Sequence, residues 1–392
     1  MPLFATRRRP LLRLGTGAAA FVLAAVGLAL PQQAAATQPA PPSLPNADSY
    51  GIDFQSITPV TGTHNPTSAP LYDVKLTTAA IYKQVDPAKP TVQPLRPVIT
   101  VRILLPQGYQ TNPANAYQSL YLLHGGTGDF DDWSRVDEGD IVQLAAQASY
   151  NGIVVMPEGG SAGWYSNWQT GTKGNIAPQW ETFHIQQLVP WIDANFNTLK
   201  TKQGRMIAGL SMGGYGALRY AGRFPELFGA AAGFSPGTNI EMPWAQTLIH
   251  ASVVAPTSPG ASIGDPANIP DLDPYRYPLG WLWGPHQVFG PNGPNWDAQN
   301  PVKLATAGKY QTYPHKLALY AGTDEADIHG SVVDMHNNLK AVEGPVAKHR
   351  FCAGPGNHSW PYWRNGLTDF LRYARGETPA SCTANTGWSL QS

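Results

Sequence analysis

Gly209-Leu210-Ser211-Met212-Gly213 sets a serine between two glycines at G-x-S-x-G spacing, after an apolar run and before a helical stretch. A serine in that setting sits on a strained strand-to-helix turn that lifts its Oγ clear of the sheet edge. Side chains two positions either side would meet neighbouring backbone, so glycine is required at 209 and 213. The helix behind Ser211 turns its positive end toward any oxyanion forming there. These features point to a nucleophilic serine attacking a carbonyl. The plain alternative is a tight turn that happens to hold serine.

Such a serine needs a base, an acid and two amide donors. In this strand-turn-helix setting the acid and then the histidine follow the serine in chain order. Of the ten histidines (64, 124, 184, 250, 286, 315, 329, 336, 349 and 358), only His358 lies in a Gly/Pro-rich loop after the last strand region and before a final helix. His124 precedes Ser211, and is expected to shape a loop instead. Three carboxylates follow the apolar run ending at Ala321: Asp324, Glu325 and Asp327. An acid three residues after the strand-end glycine selects Glu325, while Asp327 and Asp324 stay open as solvated or helix-capping groups. Met212 and Gly126, the latter in His124-Gly125-Gly126-Thr127, are the expected oxyanion donors. With these parts Ser211 attacks an ester, His358 takes its proton, and an acyl-enzyme forms. No metal or organic cofactor is needed for that chemistry, and the glycine-rich turns lack phosphate-loop and dinucleotide patterns.

The elements that must position these groups follow from the apolar runs. Val98–Leu105, Gln118–Leu123, Gly152–Met156, Arg205–Ala208, Ala230–Phe234 and Lys316–Ala321 read as strands covered on both faces. Helical stretches lie between them: 138–149, 180–196 with Pro190 inside it, 213–224 and 330–342. Alternation of this kind predicts an α/β fold with a mainly parallel sheet flanked by helices. Residues 236–300, rich in Pro, Gly, Asn and Trp, break the rhythm and read as a loop-rich insertion over the active site.

Composition narrows the setting. Of 392 residues only 13% are charged and 42% are hydrophobic. The formal charge is zero, but Arg7, Arg8, Arg9 and Arg13 all fall in a segment without acids. Residues 1–36 combine that basic start, an apolar run and Ala34-Ala35-Ala36, the order of an export signal peptide, with a pattern close to the twin-arginine type. Without it 22 basic face 26 acidic side chains, a net charge of about −4, which argues against a nucleic-acid partner. Residues 37–60 read as a disordered Pro-rich leader, 61–378 as the catalytic domain and 379–392 as a tail. Export also favours a bridge between Cys352 and Cys382.

The chain resembles the esterase D group, and within it the secreted trehalose mycolyltransferases (antigen 85-like). The resemblance covers about residues 95–375. It is carried by Leu120-Tyr-Leu-Leu-His-Gly-Gly, Val155-Met-Pro-Glu-Gly-Gly, Trp164-Tyr-Ser-Asn-Trp168, Trp180-Glu-Thr-Phe183, Gly209-Leu-Ser-Met-Gly-Gly, Trp283-Gly-Pro285, Trp296-Asp-Ala-Gln-Asn-Pro301 and Asn357-His-Ser-Trp360. It implies an α/β-hydrolase fold, export, a Ser–Glu–His triad that favours Glu325, and transfer of fatty acyl groups between sugar or glycerol hydroxyls. Two positions depart: His124 stands where mycolyltransferases carry Asp, and Thr127 where they carry Arg. That loop is closer to the general carboxylesterases of the wider group. The expected partner is thus a small-molecule or glycolipid acyl ester, with association to the cell envelope. A protein that merely binds cell-wall glycan or matrix would be expected to have lost Ser211 or His358.

Overall fold

The computed structural model describes residues 38–81, 96–109, 114–169, 177–254, 284–291, 293–344, 346–377, 381–382 and 384–391. Residues 1–36, read from the sequence as a signal peptide, lie outside them, and all described residues belong to one compact unit. Among the described residues ten strands make one sheet: β1 Ile52–Pro59, β2 Leu71–Thr78, β3 Ile99–Leu104, β4 Ser119–Leu123, β5 Ile153–Pro157, β6 Arg205–Leu210, β7 Ala230–Phe234, β8 Leu317–Gly322, β9 Arg350–Gly354 and β10 Ser389–Leu390. Their spatial order is β1-β2-β3-β5-β4-β6-β7-β8-β9-β10. From β5 to β9 every neighbouring pair is parallel, while β1, β2, β3 and β10 join antiparallel.

The unbroken apolar runs mark the parallel strands β4 to β8 because both faces are covered, whereas β9, which begins at Arg350 and ends at Gly354, is not among them. Along β4, Leu120 and Leu122 enter one core layer while Tyr121 and Leu123 enter the other. The helices are α1 Ile141–Gln147, α2 Val189–Asn195, α3 Met212–Arg223, α4 Pro243–Val254, α5 Gly284–Phe289, α6 Pro294–Asp297, α7 Pro301–Thr306, α8 Ala326–Glu343 and α9 Trp360–Ala374. α1 and α9 pack one face through Leu144, Leu367 and Phe370. α2, α3 and α8 pack the other through Trp191, Leu218 and Met335. The helix anticipated over 180–196 is divided: a π-helical segment, Thr182–Leu188, passes into α2 with Pro190 in its first turn. Proline has no N–H for the i→i−4 bond, so the ladder changes pitch where it enters.

Three boundaries differ from the sequence reading. The leader placed at 37–60 is ordered over its second half, where β1 pairs with β2 from Ile52 to Pro59. The alternation there is loose and half exposed, so the apolar signal of the central strands is missing. The insertion 236–300 carries α4, α5 and α6 in its described part, and 255–283 lies outside the described residues. The tail placed at 379–392 belongs to the sheet, since β10 pairs with β9 at Ala353 and Cys352. Cys352 and Cys382 form the anticipated disulfide, with Cα atoms 5.7 Å apart.

Candidate active site

β6 ends at Leu210 and α3 begins at Met212, so the turn between them is a single residue, Ser211. Its φ of 52° and ψ of −119° lie where residues with a β-carbon are strained. The backbone around it leaves no choice: its N–H donates to Phe234 O at 2.9 Å, and its carbonyl accepts Tyr215 N at 2.9 Å. A Cβ on Gly209 would come closer than 3.0 Å to the Gly213 carbonyl, and one on Gly213 closer than 3.0 Å to the carbonyls of Leu123 and His124. The glycine spacing is therefore a packing requirement, and the Ser211 side chain is left partly exposed at the N-terminus of α3.

The loops after β8 and β9 are stitched together. Thr323 N donates to Gly354 O at 2.9 Å and Asp324 N to Gly356 O at 3.0 Å. These bonds bring Glu325 to His358, with Oε2 at 2.5 Å from Nδ1. The Glu325 side chain is 4% exposed and that of His358 38%, so the acid is sheltered while the imidazole reaches the surface. Asp324 is exposed in the loop, and Asp327 is exposed in the first turn of α8. Of the three open carboxylates, the structure brings Glu325 to the histidine.

The loop after β4 lies over the serine turn. A Cβ on Gly125 would stand 3.6 Å from Ser211 Cβ, and one on Gly126 would stand 4.0 Å from Met212 Cβ. Gly126 and Met212, the anticipated amide donors, are thus side by side. Residues that sequence reasoning passed over fix this loop. Tyr165 Oη donates to His124 O at 2.9 Å, Trp133 Nε1 to Leu123 O at 2.9 Å, and Thr127 N to Ser161 O at 2.8 Å. Tyr165 sits in one of the aromatic stretches that carry the family resemblance, a signal available in the sequence. His124 does shape the loop: it is buried, with Nδ1 2.8 Å from Gly125 O. Glu158 Oε1, 3.5 Å from His124 Nε2, favours a charged ring. The Gly159 amide nevertheless donates to that same nitrogen at 2.9 Å and holds it unprotonated, so the proton resides on Nδ1. Beyond the loop, Trp133 meets Trp360 edge-on at 5.1 Å and Trp360 meets Trp363 at 5.2 Å, an aromatic wall that reaches His358.

Asp129, Asp131 and Asp132 have carboxylate oxygens within 4.8 Å of one another, but Arg135 fills the space between them. Its Nε is 2.6 Å from Asp131 and its Nη2 3.0 Å from Asp132. Burial pushes Asp132 up to about 6 and Glu138 up to about 7. A carboxyl raised on folding makes the native state bind more protons than the unfolded chain, so its contribution to stability falls as pH rises from its unfolded value through its folded one. Between pH 4 and 6, wild type is therefore expected to lose stability relative to Asp132→Asn, checked by urea unfolding of both across that range.

A mainly parallel sheet with a strained serine turn on its central strand β6, and acid and histidine loops after β8 and β9, the second and third strands beyond it on one side, defines the α/β-hydrolase fold. The Esterase family model matches residues 94–374, and the chain belongs to that family. It is 47% identical over 136 residues to esterase Rv1288 of Mycobacterium tuberculosis, covering 34% of this chain but only 28% of that relative. Diacylglycerol acyltransferase/mycolyltransferase Ag85A of the same species is 29% identical over 309 residues, 71% of this chain and 80% of the relative. Among solved structures, Staphylococcus aureus FphF, a fluorophosphonate-binding serine hydrolase, has a TM-score of 0.53 at 18% identity, covering 78% of this chain and 98% of that one. Mycobacterium tuberculosis MPT51 has a TM-score of 0.51 at 18% identity, covering 77% and 100%.

Proposed function

We propose that the protein is an exported serine esterase that cleaves carboxylic esters through an acyl-enzyme on Ser211. The observation that carries this reading is the 2.5 Å contact of Glu325 Oε2 with His358 Nδ1, made by loops on the sheet that also bears the Ser211 turn. With the carboxylate accepting the Nδ1 proton, the lone pair on Nε2 is free to take the Ser211 proton as Oγ attacks the ester carbonyl. The Gly126 and Met212 amides receive the oxyanion of the tetrahedral intermediate. Collapse expels the alcohol, protonated by His358, and leaves the acyl group on Ser211. Water activated by the same imidazole then releases the acid. An acceptor hydroxyl of a sugar or glycerol in place of water would give transfer, the reaction named for the Ag85 relatives. Export rests on the Arg7–Ala36 pattern, and a fatty acyl ester is the substrate class that the acyltransferase names of the Ag85 relatives favour.

The test is release of nitrophenol from p-nitrophenyl esters of short and long chains, with trehalose and glycerol offered as acceptors. Ser211→Ala is expected to lose about 10⁶-fold in kcat, the scale on which serine-triad enzymes lose rate without their nucleophile. Free acid as product identifies a hydrolase, and acylated acceptor identifies a transferase. Release that persists in Ser211→Ala, or no release from folded wild type, overturns the proposal.

A further inference from the structure

β7 leaves the sheet through Ser235, a buried residue with a φ of 46°, in the left-handed region that favours glycine. Its N–H donates to Tyr320 O on β8 at 2.7 Å, which ties the turn to the neighbouring strand. Its hydroxyl lies 2.7 Å from Glu325 Oε1 and 3.1 Å from Trp363 Nε1. An indole nitrogen can only donate. The Ser235 oxygen must therefore accept from Trp363, and its one proton goes to the carboxylate. Gly322 N donates to the same Oε1 at 3.3 Å, leaving Oε2 for His358. The Trp363 ring also stands edge-on to the imidazole, with centroids 4.8 Å apart at 84°.

We infer that Ser235 is a positioning residue of the site, a fourth member that acts through Glu325 and whose polarity Trp363 sets. The inference rests on the Ser211–His358–Glu325 reading given above. Two donors on Oε1 stop the carboxylate from turning and draw charge away from Oε2. Without the hydroxyl the carboxylate swings more freely, and the charge facing His358 increases. The first change lowers kcat, because fewer molecules hold the imidazole in line. The second makes the imidazole more basic, so the acidic limb of the kcat/KM profile moves to higher pH.

Ser235→Gly separates this role from a structural one, since glycine relieves the positive φ while removing the hydroxyl. The expected result is a protein that still melts cooperatively, the relief of the positive φ offsetting part of what Trp363 and Glu325 lose with the hydroxyl, with kcat on p-nitrophenyl acetate lower by about tenfold, KM unchanged, and the acidic limb shifted upward. Trp363→Phe keeps an aromatic edge against His358 but loses the indole N–H, and is expected to shift the limb the same way by less. Ser235→Gly with wild-type kcat and an unmoved limb overturns the inference. Glu325→Gln, run alongside, keeps the two ideas apart. If it retains full rate, the triad reading fails and this inference with it. If it loses rate while Ser235→Gly does not, only the role of Ser235 fails. In the double variant, Ser235→Gly should add nothing to Glu325→Gln.

Discussion

Glu325→Gln is expected to lower kcat by about 10⁴-fold with little change in KM, the loss that the same carboxylate-to-amide change causes in a serine protease triad. A carboxylate has no proton to give, so it can only accept from His358 Nδ1, and that fixes the tautomer whose Nε2 lone pair faces the serine. Glutamine can present its NH₂ instead, and then Nδ1 becomes the acceptor and Nε2 carries the proton. It also lacks the negative charge that stabilises the imidazolium formed as Ser211 attacks. The side chain is 4% exposed, so water neither restores the tautomer nor screens the lost charge. Asp324→Asn and Asp327→Asn, both exposed, are expected to stay within about twofold of wild type. The measurement is kcat for all three on one p-nitrophenyl ester. Glu325→Gln holding more than a tenth of the wild-type rate would remove Glu325 from the mechanism.

Gly213→Ala is expected to cost more than about 4 kcal/mol, or to prevent folding. The atoms that its Cβ would strike are the carbonyls of Leu123 and His124 and the Leu123 carbonyl carbon. All belong to the backbone of β4 and the loop after it, so no side chain can turn aside. Relief requires α3 to move away from β4, which would open the contact of Gly126 with Met212. Gly330→Ala is the control. It lies inside α8 with nothing within 4 Å of the new methyl, and it should stabilise by about 0.5–1 kcal/mol through helix propensity. Urea unfolding of both variants gives the comparison. A well-folded Gly213→Ala protein would mean that the serine turn is softer than its glycines indicate.

The central strands were legible because burial on both faces writes an unbroken apolar run, and the serine turn because its glycines answer to local sterics. His358 was legible from its loop and its order in the chain. Choosing among Asp324, Glu325 and Asp327 needed the bonds of Thr323 to Gly354 and Asp324 to Gly356, which join segments about thirty residues apart. β1 and β2 were missed since antiparallel outer strands have a half-wet face, β9 because Arg350 and Gly354 leave only three apolar residues between them, and β10 because two residues leave no periodicity. Ser235 carried no signal of its own. Its role comes from a meeting of three loops, and only its place at the end of a strand hinted that it faced the site.

The strand β10 and the residues before it have a consequence for the order in which the protein is completed. Trp388 donates to Pro355 O at 2.8 Å and stacks on Tyr362, Asn385 accepts from Asn365, and Gln391 N reaches Phe351 O at 2.9 Å. These contacts strap the loop that carries His358 from behind, and the disulfide at Cys382 anchors the strap. Every one of them comes from a segment synthesised after Ser211, Glu325 and His358. A nascent chain that folds early therefore has all three residues of the proposed triad before it has the brace behind the His358 loop. The brace is then locked only where thiols oxidise. If the proposed export holds, completion of the site is tied to compartment, and a fusion or truncation near residue 391 is expected to loosen the His358 loop.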